Sequence, residues 1–282
     1  MFQSRKTTRR RDREIVWDDG VVFLLLSCQE EGKEEELKVY CREDTVLICP
    51  EGRINVQEPC FGPQRYYGAG EGLAYELGIP GLEGATAIYQ HKDWWIRPAF
   101  MERLSETPDR TQLILFRKEE VFFALLSVCG ETCRTDMCGK EEDRLLIRMV
   151  PGAGNRNRLS DLSLVIAAGE DPYLCCERAV EEALRYLGRE SMLRRHRSYP
   201  EMFGYFGWCS WDAFYHQVSH QGIVDKMQEF REKEIPVKWA LLDDGWLSAD
   251  YEEQVLTNLD ARESQFPQGL RGCVRELKEK YG

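Results

Sequence analysis

Short apolar segments separated by turn residues dominate the first 170 residues of the chain. The predicted strands are Val21–Ser27, Leu37–Cys41, Thr45–Cys49, Thr86–Gln90, Gln112–Arg117, Glu120–Val128, Arg144–Val150 and Leu162–Ala167. Many short strands with regular turn signals are typical of an antiparallel β-sandwich. We expect its inner faces to carry Trp94, Trp95, Phe116 and Phe122, or some of them.

The pattern changes to helical spacing after residue 170. Asp171 followed by Pro172 has the features of a helix start, and Gly188 is placed to end that helix. A basic, polar segment follows and has the composition of a linker. The predicted division is a β-sandwich domain over 1–170, a connecting helix and linker over 171–204, and a third domain over 205–282.

The third domain alternates strands and helices. Strands are predicted at Tyr205–Trp208 and Val237–Leu242, and helices at Gly222–Lys233 and from Leu270 to Tyr281. This alternation is typical of a parallel sheet. Two such units neither close a barrel nor cover both faces of a parallel sheet. The chain is therefore expected either to be a fragment or to rest on something else.

Composition and charge exclude several classes of protein. The chain is 43% hydrophobic and 31% charged, which is ordinary for a globular protein. Its formal net charge of −11 repels nucleic acid and anionic membranes. The sequence has neither the roughly 18-residue apolar run of a membrane span nor the apolar stretch of a signal peptide. We expect a cytoplasmic protein with no nucleic-acid or membrane partner.

Cysteine and histidine patterns predict no metal site. The 11 cysteines are an odd number, are sparse for a disulfide framework and include no C-x-x-C pair, so reduced structural thiols are expected. His216 and His220 are four residues apart, but no third ligand is near, and we expect surface or packing roles for them. No P-loop or G-x-G-x-x-G sequence supports nucleotide binding.

Two neighbouring clusters have the residue types of a sugar site. Asp243 and Asp244 directly follow a predicted buried strand, where carboxylates are costly unless they are used. Adjacent Asp side chains diverge and suit two hydroxyls of one polyol, while Trp246 offers an apolar face to a sugar ring. Trp208 and Trp211 lie at the end of the preceding strand. The alternatives are an Asp-capped turn for the first cluster and core packing for the second.

These motifs together resemble glycoside hydrolase family 36, and within it the raffinose synthase and seed imbibition protein branch. The resemblance rests on Gly207-Trp208-x-x-Trp211 and, about 30 residues later, Asp243-Asp244-Gly245-Trp246, with Phe266-Pro267-x-Gly269-Leu270 as a further match. Residues 171–282 carry it. Trp94-Trp95-x-Arg97-Pro98 is a weaker local match in the β-rich half.

The resemblance implies a fold and an activity. The fold is a multidomain β plus α/β protein, with an N-terminal antiparallel β-sandwich followed by the start of a (β/α)8 TIM barrel, truncated after about two βα units. The activity is retaining hydrolysis or transfer of α-linked galactose, with an α-galactoside oligosaccharide as substrate and no metal or cofactor. Hydrolysis and galactosyl transfer both remain open.

The resemblance also implies roles for individual residues. Trp208 would line the galactose subsite, Asp243 and Asp244 would bind galactose hydroxyls, and Trp246 would lie beside them. The family's nucleophile and its acid/base would both lie beyond Gly282. No catalytic residue is therefore assigned, and the chain alone is expected to be inactive.

Two alternatives belong to other classes. The first is a non-catalytic carbohydrate-binding or assembly protein built on the β-sandwich, which would also explain a homo-oligomer formed through that domain. The second is a truncated gene product without activity.

Overall fold

The computed structural model describes residues 14–16, 22–27, 35–42, 44–54, 72–152, 158–253 and 255–282. The basic residues 1–13 and the first residue of the predicted strand Val21–Ser27 lie outside this part of the chain. The chain divides into two compact units, Met1–Arg197 and Ser198–Gly282. The predicted fold class, an antiparallel β unit followed by an α/β unit, is confirmed.

The first unit is built on one antiparallel sheet. Its described strands are β1 (Glu14–Val16), β2 (Val22–Ser27), β3 (Glu35–Arg42), β4 (Thr45–Arg53), β5 (Leu73–Gly78), β6 (Ala85–Lys92), β7 (Trp95–Met101), β8 (Thr111–Lys118), β9 (Val121–Ser127), β10 (Cys133–Lys140), β11 (Arg144–Pro151), β12 (Arg158–Ser160) and β13 (Leu164–Gly169). Their order is β1-β2-β5-β11-β10-β8-β9-β13-β4-β12. In addition, β3 pairs with β4, β6 with β8, and β7 with β6.

Buried and half-buried side chains alternate along the strands, and the buried ones form the core. In β11, Leu145, Ile147 and Met149 are fully buried, while the residues between them are half-buried. This is the two-residue period of a strand with one face in the core. A single residue pair, Met137 with Thr111, joins β10 to β8. Strands on both sides of that junction contribute side chains to one hydrophobic cluster.

Three phenylalanines lie at the centre of that cluster. The Phe116 and Phe123 rings stack with centroids 5.2 Å apart. Phe23 from β2 meets Phe123 edge-on at 5.5 Å. Because β2 and β9 lie far apart in the sheet order, these contacts tie the two sides of the sheet together.

Among the aromatic residues expected inside, the two tryptophans lie outside. Phe116 is in the core, and Phe122 packs against a second cluster. Trp94 is 81% exposed and Trp95 45% exposed. Trp94 occupies the turn between β6 and β7, and Trp95 begins β7, whose paired neighbour among the described strands is β6. Most of β7 is exposed, so Trp95 lies on the surface, and the Arg97 guanidinium lies 4.2 Å from the Trp95 ring centroid.

The predicted helix forms as α1 (Pro172–Tyr186). The Asp171 carboxylate accepts hydrogen bonds from the amides of Tyr173 and Leu174 at 2.8 and 2.9 Å, as an N-cap does. The buried face of α1 packs on the sheet, where a hydrophobic cluster combines Cys175, Ala179 and Ala183 with residues of β4, β9 and β13. The helix is thus part of the first unit.

The second unit contains a parallel pair of strands and a hairpin. Its elements are β14 (Gly207–Cys209), α2 (Trp211–Phe214), α3 (His220–Glu232), β15 (Trp239–Leu241), β16 (Leu247–Asp250), β17 (Val255–Ala261) and α4 (Gly269–Tyr281). β14 and β15 pair in parallel, and β16 and β17 pair antiparallel. Gly207 faces the Trp239 ring, and a Cβ at Gly207 would overlap that ring. The close approach of the two strands therefore requires glycine at this position.

A small core holds this unit together. Val218, Ile223, Phe266 and Cys273 are buried in it, and Trp208, Phe214, Met227, Leu242, Trp246, Ala261, Leu270 and Leu277 pack around them. Across both units, the nine cysteines within the described ranges are free thiols. No helix in those ranges is long and apolar enough to cross a membrane.

Candidate functional site

The site lies where the parallel strands β14 and β15 end. The Ser210 amide donates to the Leu241 carbonyl at 3.0 Å, and the Ser210 hydroxyl accepts from the Asp243 amide at 2.9 Å. Ser210 is fully buried. These two bonds lock the ends of both strands together. The Asp-Asp turn therefore leaves the sheet in a fixed direction beside Cys209.

Asp243 is held by a thiol and a backbone amide. Its Oδ2 accepts from Cys209 Sγ at 3.2 Å, and its Oδ1 accepts from the Asp244 amide at 2.7 Å. A backbone contact at Trp211 lowers the pKa of Cys209, but desolvation and the Asp243 carboxylate outweigh it, so that the pKa is raised overall. The thiol therefore stays protonated at neutral pH and donates to the carboxylate.

Asp244 is held by a different set of groups. Its Oδ1 accepts from the Gly245 amide at 2.7 Å and from the Tyr251 hydroxyl at 3.3 Å. Its Oδ2 lies 3.2 Å from Nε2 of His216. The Asp244 side chain remains about half exposed, at 51%. A half-exposed carboxylate with an ordered orientation can accept a further hydrogen bond from a ligand.

Aromatic rings surround Asp244. The His216 ring stacks on Tyr251 with centroids 4.2 Å apart and an interplanar angle of 24°. Trp211 meets His216 at 5.1 Å and Tyr215 at 5.2 Å, both edge-on. The Arg262 guanidinium lies 4.6 Å from the Tyr251 centroid. The carboxylate is therefore bordered by flat side chains that contact one another.

Gly245 brings His216 close to the Asp-Asp turn. Its φ is +110°, a conformation that L side chains rarely adopt. A Cβ at Gly245 would lie 2.7 Å from the His216 Cα and 2.9 Å from the Tyr215 carbonyl oxygen. The absence of a side chain therefore lets the segment that carries His216 lie directly against the turn.

The structure brings together part of the predicted set of site residues. Asp243 and Asp244 lie side by side at the strand end, as expected. Trp208 is half-buried, and its ring meets Phe214 and Phe230 edge-on at 6.1 and 5.9 Å. Trp246 is also half-buried against the core of the second unit. The two tryptophans thus support the site from the core side.

Three residues at this site were not predicted from the sequence. Surface or packing roles were expected for His216, which is partly exposed and stacks on Tyr251, but its position beside Asp244 was not predicted. Ser210 and Tyr251 carried no recognisable signal, because their roles depend on a buried strand end and on the β16–β17 hairpin. Among the described residues, no group of three or more His, Cys, Asp or Glu side chains is arranged to hold a metal ion.

The fold and the site first define a class of protein. A parallel strand–helix–strand unit with paired carboxylates and aromatic rings at its strand ends is an α/β unit suited to a hydroxyl-rich ligand. The sequence profile of the family described as raffinose synthase or seed imbibition protein Sip1 matches residues 80–279. The chain belongs to this family.

Curated relatives share about a quarter of their residues with the chain. A probable galactinol–sucrose galactosyltransferase 6 from Arabidopsis thaliana is 25% identical over 233 residues, covering 70% of this chain and 31% of that protein. A galactinol–sucrose galactosyltransferase from Pisum sativum is 24% identical over 230 residues, covering 70% and 29%. The chain thus spans about a third of the length of these relatives.

Solved structures of α-galactosidases are similar to the chain at low sequence identity. The GH36 α-galactosidase AgaA from Geobacillus stearothermophilus is 14% identical with a TM-score of 0.46, over 92% of this chain and 38% of that one. The α-galactosidase from Lactobacillus brevis is 9% identical with a TM-score of 0.46, over 98% and 39%.

Proposed function

We propose that Asp243 and Asp244 bind the galactosyl hydroxyls of an α-galactoside in an enzyme that hydrolyses or transfers α-linked galactose. The observation that carries the proposal is their position at the end of β15, each held by its own partners. The relatives named as galactinol–sucrose galactosyltransferases support the substrate class. They favour transfer over hydrolysis as the reaction.

The chemistry of the two carboxylates fits a sugar. A carboxylate accepts hydrogen bonds without donating, and bonds from hydroxyls to it are charge-assisted and strong. Two neighbouring carboxylates with different fixed partners present acceptors in two directions, as two hydroxyls on one ring require. Trp211 is half-buried, and its ring offers the apolar surface on which the C–H face of a sugar packs.

Trp208 and Trp246 complete the proposed substrate site. Both pack into the core of the second unit. There they support the ends of β14 and β15, which carry the two carboxylates. We also propose that the β14–α3–β15 unit begins a (β/α)8 barrel, whose ligands bind at the carboxyl ends of the strands.

Substitution of either carboxylate should weaken raffinose binding. In Asp243→Asn and Asp244→Asn, the loss of a charged acceptor should raise the Kd for raffinose about tenfold to a hundredfold, the effect of one hydrogen bond to a charged group. Isothermal titration calorimetry on the full chain measures this, with sucrose, which lacks the galactosyl group, as the control ligand.

A matched variant separates the effect of losing a carboxylate at the site from the effect of losing one negative charge elsewhere. Asp225→Asn removes a carboxylate on the exposed side of α3, where it accepts from the Gln221 side chain, and should leave raffinose affinity unchanged. The proposed function is contradicted if the wild-type chain binds raffinose no better than sucrose. It is also contradicted if both aspartate variants bind raffinose as the wild type does.

A further inference from the structure

The carboxylate of Asp244 is clamped from two sides by side chains of different elements. Tyr251 follows β16 and donates its hydroxyl to Oδ1, at 3.3 Å. His216 comes from the segment between α2 and α3, and its Nε2 lies 3.2 Å from Oδ2. Oδ1 also accepts from the Gly245 amide at 2.7 Å. The His216 contact to Oδ2 therefore fixes the rotation of the carboxylate plane, which contacts to Oδ1 alone would leave free, and Tyr251 adds a second contact to Oδ1.

The two clamping residues also fix each other. The His216 ring lies flat on the Tyr251 ring at 4.2 Å, and Arg262 lies 4.6 Å from the Tyr251 centroid. Desolvation, followed by the Asp244 charge, raises the pKa of Tyr251 above its ordinary value. The Tyr251 hydroxyl therefore stays protonated and remains a donor throughout the neutral pH range.

Asp243 has neither contact. A thiol and a backbone amide hold its two oxygens. The two carboxylates are therefore oriented independently, and a change at His216 or Tyr251 acts on Asp244 first. Because of this difference, substitutions at His216 and Tyr251 can test their effect on Asp244 separately from Asp243.

We propose that His216 and Tyr251 are positioning residues, which hold Asp244 in the orientation that accepts a galactosyl hydroxyl. The inference rests on the proposed function, since it concerns the same ligand. Neither residue needs to touch the sugar. Their contribution is to remove the rotational freedom that Asp244 would otherwise lose on binding, and preorganisation of this kind raises affinity.

Three variants test the contacts that His216 and Tyr251 make with the Asp244 carboxylate. His216→Phe keeps a flat ring to stack on Tyr251 but removes Nε2, whereas His216→Gln replaces the ring with an amide that can donate from a similar distance. Tyr251→Phe removes the hydroxyl and keeps the ring. His216→Phe and Tyr251→Phe should each raise the Kd for raffinose about three- to tenfold. The effect is smaller than that of removing the carboxylate itself, because Asp244 keeps its other contacts, including the one to the Gly245 amide. His216→Gln should restore most of the affinity.

A tyrosine elsewhere in the same unit provides the control. Tyr281→Phe removes a hydroxyl that donates to the Val224 carbonyl at 3.2 Å and lies away from the strand ends. It should leave the Kd unchanged. Crystal structures of His216→Phe and the wild type add a readout that needs no ligand, because the Asp244 carboxylate should rotate away from its wild-type orientation in the variant.

The outcomes separate this inference from the proposed function. Failure of the wild-type chain to bind raffinose contradicts the proposed function, and the inference with it. If the wild type binds raffinose while His216→Phe and Tyr251→Phe bind it equally well, only the inference is overturned. A weakened His216→Phe variant that His216→Gln does not rescue also overturns it, because shape rather than the Nε2 contact would then be responsible.

Discussion

Replacing Phe123 with alanine should lower the free energy of unfolding of the first unit by about 3–5 kcal/mol, the range for deleting a buried phenylalanine ring. Phe123 is fully buried, stacks on Phe116 at 5.2 Å and meets Phe23 at 5.5 Å. Its removal leaves a cavity between strands from both sides of the sheet. Denaturant unfolding followed by circular dichroism measures the change.

An exposed aromatic residue serves as the matched control. Trp94→Ala removes a larger side chain, but that side chain is 81% exposed, and surface substitutions usually change stability by no more than about 0.5 kcal/mol. If the two variants lost similar amounts of stability, the assignment of the core to the Phe23–Phe116–Phe123 cluster would be wrong.

Gly245→Ala should damage both the stability of the second unit and its binding of raffinose. The backbone strain of a non-glycine residue in this conformation costs about 1–3 kcal/mol. The added Cβ also meets the His216 Cα at 2.7 Å, so the His216 segment must move away from Asp244. The Kd for raffinose should therefore rise by more than about tenfold, as calorimetry on the purified variant can establish.

Two other glycines separate the effect of backbone strain from the effect of the contact between an added Cβ and His216. Gly269 has a φ of +65°, and the position that an added Cβ would take is open, so Gly269→Ala introduces strain without a clash. At Gly204 the position of an added Cβ is also open, and the backbone is not in the left-handed region, so Gly204→Ala should change stability very little. The account of the Gly245 contact fails if Gly245→Ala resembles either control in raffinose affinity.

Local signals in the sequence were sufficient for several elements. Asp171 and Pro172 predict the start of α1, and the carboxylate of Asp171 caps it as expected. The short apolar segment Arg144–Val150, followed by turn residues, predicts the strand β11, which forms over Arg144–Pro151. Both features depend on neighbouring residues of the same segment, and the sequence displays such features directly.

Features that depend on distant neighbours were not predicted. All or some of Trp94, Trp95, Phe116 and Phe122 were expected on the inner faces, yet Trp94 and Trp95 lie at an exposed hairpin whose outer strand pairs with β6 alone among the described strands. In the β16–β17 hairpin, β17 is exposed along most of its length and β16 is mostly half-buried, so neither strand shows the alternation of a half-buried sheet. Chain topology, which a single sequence does not display, decides both cases.

In the candidate site, too, the features set by local sequence were predicted, and those that depend on distant neighbours were not. The position of Asp243 and Asp244 directly after an apolar strand predicts that they lie at a strand end, and they do. The role of His216 depends on the close approach at Gly245 and on the position of Tyr251. No spacing in the sequence links these residues, so a histidine without a recognisable partner was expected to be a surface or packing residue.

Amide-resolved NMR during a titration of the full chain with raffinose tests the central claim most directly. We expect saturable shifts at the amides of Asp243, Asp244 and Gly245, with no such shifts on addition of sucrose. Those amides donate to the carboxylates of the turn or belong to the same turn, so a ligand on the carboxylates must perturb them. Saturable shifts confined to other residues, or the same shifts with sucrose, would contradict the assignment of a galactosyl site to this turn.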